Sequence, residues 1–153
     1  MYKVCARCGV VYGPGQSVPS CSFCGSPKLV EISGDEYEKR RAGLRAKALK
    51  LARYAAALAP GGLQRALDSW YGIGVYMYLH SKPCCYLSVT VNAAFFPGNP
   101  IAFLSQVYGE AARLGAPAAL TVDGYDAAAL EALGFEKNPV GSYTLKALPP
   151  SHR

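Results

Sequence analysis

Four cysteines near the start of the chain constrain it more than any other feature: Cys5-Ala6-Arg7-Cys8-Gly9 and Cys21-Ser22-Phe23-Cys24-Gly25. Twelve residues separate Cys8 from Cys21, so the pattern is C-x2-C-x12-C-x2-C. Each pair closes a tight knuckle that turns two sulfurs to one side. The Gly after each second Cys tolerates a left-handed backbone and leaves amide N–H groups free to face the sulfurs. Four thiolates so placed match a tetrahedral metal site with Zn–S near ~2.3 Å. The spacing therefore predicts one zinc ion per chain, held by Cys5, Cys8, Cys21 and Cys24. A segment of about 33 residues buries too little apolar surface to fold alone, so the metal has to hold it together.

The rest of the 153 residues is long enough for a core of its own, and a hydrophobic content of 51% supports one. The apolar runs Trp70–Leu79 and Cys84–Phe96 are interrupted by His80-Ser81-Lys82-Pro83, and neither reaches the ~18 residues of a membrane span. The first residues, Met1-Tyr2-Lys3-Val4-Cys5, contain no apolar stretch of the kind that opens a secretion signal. Paired C-x2-C motifs without such a signal predict a cytoplasmic location and metal-ligating rather than disulfide-bonded cysteines. With three Asn and three Gln in the whole chain, the composition hints at a thermophile.

The formal charge of +6 is unevenly placed. Residues 71–153 carry five bases and five acids, whereas residues 35–70 carry eight bases against four acids. Zinc with four thiolates would contribute a net negative charge to the first 34 residues. The basic excess therefore belongs to one segment. Seven bases fall in Lys39–Arg53, namely Lys39, Arg40, Arg41, Arg45, Lys47, Lys50 and Arg53, with no acid among them. No Glu/Lys pairing at i, i+4 is expected to neutralise that run, and an unpaired basic stripe is the electrostatic footprint of polyanion binding.

In chain order, Lys28–Ser33 alternates as a strand that either completes the knuckle segment or begins the next sheet. Ser33 or Asp35 caps a helix from about 35 to 58, with Tyr37, Leu44, Ala48, Leu51, Ala55 and Leu58 on its apolar stripe. Pro60-Gly61-Gly62 ends it, and a short helix is expected over Leu63–Trp70. A hairpin follows, Ile73–Leu79 and Cys85–Val91 around His80–Pro83. Then come a loop at Phe95–Pro100, a helix over Ile101–Leu114 with Ile101, Leu104, Val107, Tyr108 and Ala111 inward, and a buried strand at Ala118–Val122. A helix at Asp126–Leu133 is capped by Gly134. Phe135–Lys137 and Ser142–Leu148 pair last, and residues 149–153 form a mobile tail. Cys84 and Cys85 should point to opposite faces of their strand as small buried hydrophobes, which precludes a second metal site with His80. His80 and His152 form no pattern with a nucleophile.

Residues 1 to about 33 resemble a zinc ribbon, a family of two-knuckle domains found mainly in transcription, translation and RNA-processing proteins. From Gly72 onward the order hairpin, loop, helix, strand, helix, two strands looks like the C-terminal two-thirds of the GNAT N-acetyltransferase fold. Its clearest match is Asp123–Tyr143, where Ala127-Ala128-Ala129-Leu130-Glu131-Ala132-Leu133-Gly134-Phe135 echoes that family's last helix and Leu-Gly-Phe strand entry. The likeness spans roughly residues 35–148, with the front half one strand short unless Lys28–Ser33 is borrowed. It implies a loop whose N–H groups hold the pyrophosphate of acetyl-CoA at a helix N-terminus, and a Tyr acting as general acid. The corresponding stretch is Pro97-Gly98-Asn99-Pro100-Ile101-Ala102, where Pro97 and Pro100 replace the Gln/Arg and the middle Gly, and Leu130 stands in the Tyr position. Proline offers no N–H and leucine no proton.

The chain is therefore read as an α+β protein, a four-cysteine zinc ribbon over 1–33 joined to a mixed-sheet, degenerate acetyltransferase-like domain over 34–148. The expected function is non-catalytic binding of structured RNA or a ribonucleoprotein, the ribosome first, through the seven bases of the helix. Arg7 adds a phosphate contact and an exposed Phe23 a stacking surface. The alternatives are an N-acetyltransferase using acetyl-CoA and a protein-interaction subunit of a transcription complex.

Overall fold

The computed structural model describes residues 1–16 and 18–149; His152 and the rest of the tail from residue 150 lie outside the described residues, and Pro149 is buried. The knuckle segment contributes three short strands, β1 (Tyr2–Cys5), β2 (Val11–Tyr12) and β3 (Leu29–Ile32). β1 pairs antiparallel with both neighbours, so the alternating stretch after the second knuckle completes the ribbon rather than opening the next sheet.

Helix α1 (Gly34–Leu58) starts where Ser33 Oγ accepts the Glu36 N–H at 3.1 Å, which decides the cap in favour of Ser33, with Asp35 and Glu36 in the first turn. Leu44, Ala48, Leu51, Ala52 and Ala55 are buried on one face, and Tyr37 and Leu58 pack against the same core. The small Ala side chains let the helix lie close on the sheet. It ends at Ala59, whose N–H returns to Ala55 O at 2.9 Å just before Pro60.

The expected helix at Leu63–Trp70 is instead a hairpin, β4 (Gln64–Ala66) and β5 (Ser69–Gly72), joined by Leu67-Asp68. Gly61 and Gly62 both take positive φ, 78° and 73°, and reverse the chain without starting a new helix. β5 then finds a full partner in β6 (Val75–Ser81), and its Trp70, paired with Met77, is buried. Ladder pairing and burial of the large indole outweigh a weak local helix preference. At the β5–β6 turn Gly74 has φ 72°, and a Cβ there would stand 2.6 Å from Phe96 N, so only glycine fits. At the β4–β5 turn Leu67 holds φ 55° while 91% exposed. A left-handed leucine costs about 1 kcal/mol and here gains no packing in return. Leu67→Asn is accordingly expected to raise the unfolding free energy by about 1 kcal/mol in chemical denaturation.

β6 and β7 (Cys84–Asn92) form the long central hairpin; β6 runs two residues and β7 one residue further into the turn than expected, leaving Lys82-Pro83 between them, with a register shift between His80 and Ser81. Cys84 and Cys85 do not alternate as predicted. Both are buried, and they are joined to each other as a disulfide, which takes the two sulfurs out of metal chemistry. Helix α2 (Pro100–Leu114) buries Phe103, Leu104, Val107 and Ala111. Tyr108, placed inward on the sequence, is 37% exposed, and Phe103 occupies the core against Phe96 instead. Strand β8 (Ala118–Asp123) pairs parallel to β7, α3 (Ala127–Ala132) buries Leu130, and β9 (Glu136–Lys137) and β10 (Tyr143–Ala147) pair as expected.

The ten strands of the described residues form one mixed sheet. One edge of β7 is taken by β6. The other is shared: β2 meets it at Cys84, and β8 takes it from Leu87 to Asn92. The architecture is α+β. Leu44, Leu51, Leu104 and Val107 from α1 and α2 pack with Met77, Leu79, Leu87, Val89, Leu120 and Val122 in a single core on one face of the sheet. The alternate positions of the same strands point to the other face. No helix of the described residues is long and apolar enough to cross a membrane.

Candidate metal centre

The two knuckles are built alike. Cys5 N–H donates to Val10 O at 2.9 Å and Gly9 N–H to Cys5 O at 3.0 Å; Cys21 N–H donates to Ser26 O and Gly25 N–H to Cys21 O, both at 2.8 Å. Gly9 and Gly25 take φ 86° and 81°, the left-handed backbone that the position after each second Cys requires. The four Sγ atoms lie within 4.8 Å of one another, with Cys5–Cys24 at 3.5 Å and Cys8–Cys21 at 3.6 Å. A tetrahedron of sulfurs at ~2.3 Å from a central ion has edges of about 3.8 Å, so the cluster fits such an ion.

Electrostatics point the same way. Burial pushes the Cys8 and Cys24 thiols up from their ordinary range. Burial also raises Cys21, but hydrogen bonds from the Tyr12 hydroxyl and from the Cys24 and Phe23 amides outweigh it and bring that thiol down to about 7. Four clustered thiolates, three buried and Cys24 half-buried, repel one another unless a cation sits between them, and a divalent ion removes the conflict while releasing protons. Four sulfurs around one ion would complete a tetrahedron, the donor set of structural rather than catalytic zinc sites.

Tyr12 is a supporting residue that sequence reasoning misses. It is 1% exposed, donates its hydroxyl to Cys21 Sγ at 3.3 Å, and accepts the Ser22 N–H at 2.8 Å. Burial and the bond to Cys21 keep the phenol protonated. No spacing signal marks it, because it reaches the sulfur from the paired strand β2. Tyr12→Phe keeps the ring and loses the bond to sulfur; zinc affinity, read by chelator competition, should fall about tenfold with the fold retained.

The second knuckle rests on the main sheet. Phe23, expected to be exposed, is 1% exposed, with its ring 4.4 Å from that of Tyr86. The Lys146 ammonium donates to Phe23 O and lies 5.4 Å over its ring. Phe23 is therefore core, buried by a strand that a reading of the isolated ribbon does not include. Arg7 remains exposed, donates to Cys24 O at 3.4 Å, and opens with Lys137 and Lys146 onto a cleft of about 580 Å³ between the ribbon and β9–β10.

The seven bases of α1 divide. Arg40 pairs with Glu36 at 2.6 Å, Arg41 with Glu38 at 3.9 Å and Arg45 with Asp68 at 3.0 Å. The expectation of an uncompensated run is thus corrected: acids just upstream and on the β4–β5 turn reach back to three of the seven. Among the described residues, Lys39, Lys47, Lys50 and Arg53 are exposed and have no acidic partner. Lys39, Arg40 and Lys47 line a groove of about 270 Å³ bounded by Gly9 of the first knuckle and Gly115 at the end of α2. Arg7 is not part of it.

At the start of α2, Asn99 Oδ1 accepts the Ile101 and Ala102 N–H groups at 2.9 and 3.4 Å, and Pro100 has no N–H. Leu130 is fully buried. Fold and site together define an α+β protein with a four-cysteine cluster able to hold a metal ion. No protein family, curated protein or solved structure matches this chain.

Proposed function

We propose that this chain is a cytoplasmic, non-catalytic zinc protein that binds structured RNA within a ribonucleoprotein, the ribosome being the first candidate. It is organised as a zinc ribbon over 1–33 and an acetyltransferase-like unit over 34–148. The observation that carries the reading is the outward row Lys39, Lys50 and Arg53 on α1, exposed and without acidic partners, with Lys47 beside it. Positions 39, 50 and 53 fall on one side of a helix and extend for about 21 Å along it. Cations at both ends of a stretch of that length, on a helix fixed to the sheet by its opposite face, suit separated phosphates of a duplex segment.

The likeness to N-acetyltransferases draws support from the run β6-β7-α2-β8-α3-β9-β10, and β4–β5 supply strands in the front half that the sequence pattern lacks. Catalysis is not part of the proposal. The α2 amides that would meet a pyrophosphate are engaged by Asn99, and the position of the general acid is a buried leucine. Gradient fractionation of native lysate should place the chain with ribosomal particles at low salt and release it at high salt, while calorimetry with acetyl-CoA shows no saturable heat below millimolar. Migration only as a free protein would overturn the ribosomal reading, and a micromolar acetyl-CoA constant would put the enzyme first.

A further inference from the structure

The helices cover one face of the sheet, and the other is bare except where the second knuckle sits. On that bare face β6 presents Tyr76, Tyr78 and His80, β5 presents Tyr71, and β7 presents Tyr86, Ser88 and Thr90. The rings follow one another along the face: Tyr71–Tyr76 at 5.1 Å, Tyr78–His80 at 4.9 Å, and His80 stacked on Tyr86 at 4.1 Å and 9°. Burial holds His80 below its usual range, so it stacks as a neutral ring. Tyr71 and Tyr76 are 50% and 38% exposed.

Register carries the rings toward short side chains, and in one rung on to a base. Tyr71, Tyr76, Thr90, Thr121 and Thr144 are successive partners across five strands, and Tyr78, Ser88, Ala119 and Lys146 are successive partners in the next rung. From β6 to β10 is about 14 Å. The far side is the cleft that Lys146, Lys137 and Arg7 line. Of the acids there, Glu136 lies in the same cleft and Asp123 accepts a hydrogen bond from Ser142. The face thus has an aromatic bank, a floor of small side chains rich in hydroxyls, and a bank where three bases face one acid, with the Lys146 ammonium also donating to Phe23 O. From β5 to β8 its positions carry no Leu, Ile or Val of the kind a protein partner would bury, although Leu145 and Leu148 line the cleft, and an open sheet suits splayed bases rather than a double helix.

We propose that this open sheet face holds unpaired nucleotides of RNA, with bases stacking on Tyr71 and Tyr76 and phosphates directed to Lys146, Lys137 and Arg7. Stacking on aromatic side chains is how single strands are held without regard to sequence. The proposal rests on the RNA reading above and names a second element of the same ligand, on the opposite side of the molecule from α1.

The test uses the full zinc-loaded chain and two labelled probes, a 12-nucleotide oligouridylate and a 12-base-pair RNA duplex, with binding read by anisotropy. Val suits strands, so Tyr71→Val with Tyr76→Val should keep the thermal melt while weakening oligouridylate binding about a hundredfold, tenfold for each ring. Duplex binding should not change. Tyr71→Phe with Tyr76→Phe should bind like the parent, and Tyr71→Val alone, at a half-exposed position, should show about a tenfold loss. The proposal is overturned if the parent chain ignores oligouridylate at low salt, whatever protein it captures. It is also overturned if the double Val variant binds undiminished, or if the Phe pair loses as much as the Val pair. Charge reversal on α1 reports on the duplex probe and the Tyr variants on the single strand, so failure of one reading leaves the other measurable.

Discussion

Cys21→Ser protein purified from ordinary medium is expected to carry almost no zinc, against close to one equivalent for the parent chain and for Cys84→Ser. Cys21 is the sulfur on which the local hydrogen bonds converge, from Tyr12 and two amides, so a hydroxyl there removes a ligand at the best-prepared corner of the site. Structural zinc sites of this type are worth about 10–16 kcal/mol. The ribbon has only a small buried cluster of Cys5, Cys8, Val10, Tyr12, Cys21 and Phe23 to set against the chain entropy of 33 residues. Without metal, residues 1–33 should lose order, and the packing of Phe23 on Tyr86 and Lys146 should go with them. The main sheet should remain, because its core of Leu51, Met77, Leu79, Leu87, Leu120 and their neighbours draws only Val4, Val11 and the partly buried Ile32 from the first 33 residues described. Metal analysis with an amide NMR spectrum would show both halves of the result. A full equivalent of zinc in Cys21→Ser would show that the ligand set is wrong.

Lys39→Glu, Lys50→Glu and Arg53→Glu combined are expected to weaken duplex RNA binding by several orders of magnitude. The slope of log affinity against log salt should flatten by about 0.9 for each phosphate no longer neutralised. These three bases differ from Arg40, Arg41 and Arg45 in having no carboxylate to leave, so a phosphate replaces only water and counterions. Lys47 is left in place because it lies beside Gly115 at the carbonyl end of α2, where a cation has a local electrostatic role. The fold should survive, since the buried stripe Leu44, Ala48, Leu51 and Ala55 is untouched. Arg40→Glu and Arg41→Glu serve as the contrast and should change the slope less. A triple variant that melts like the parent and binds RNA with an unchanged slope would reduce the row to a solvated face.

The sequence is most legible where chemistry or backbone permits a single solution. Two C-x2-C-G knuckles bring four sulfurs together almost without regard to what surrounds them, and both glycines take the backbone expected of them. The α1 stripe, the β6–β7 hairpin and the succession α2, β8, α3, β9, β10 are equally readable, because periodicity and turn residues agree there. Leu63–Trp70 departs from its expected helix for a long-range reason: its strand conformation is decided by β6, which lies beyond it in the chain. Cys84 and Cys85 depart for a local one, since the alternation rule does not hold through the bulge that opens β7.

What the sequence determined by itself is local: the clustering of the four cysteines, the buried stripe of α1 and the net basicity of that helix. Glu36 and Glu38 reach Arg40 and Arg41 at i, i+4 and i, i+3 within the helix, but only the tertiary structure showed that Arg45 is taken, because Asp68 arrives on a turn 23 residues further on. Only the tertiary structure turned Phe23 from a surface ring into core and placed Tyr12 against a ligand sulfur. It also aligned Tyr71, Tyr76, Thr90, Thr121 and Thr144 across five strands. Spacing within a strand tells which face a side chain occupies, but register between strands is a property of the folded sheet, and that register is what assembles a surface.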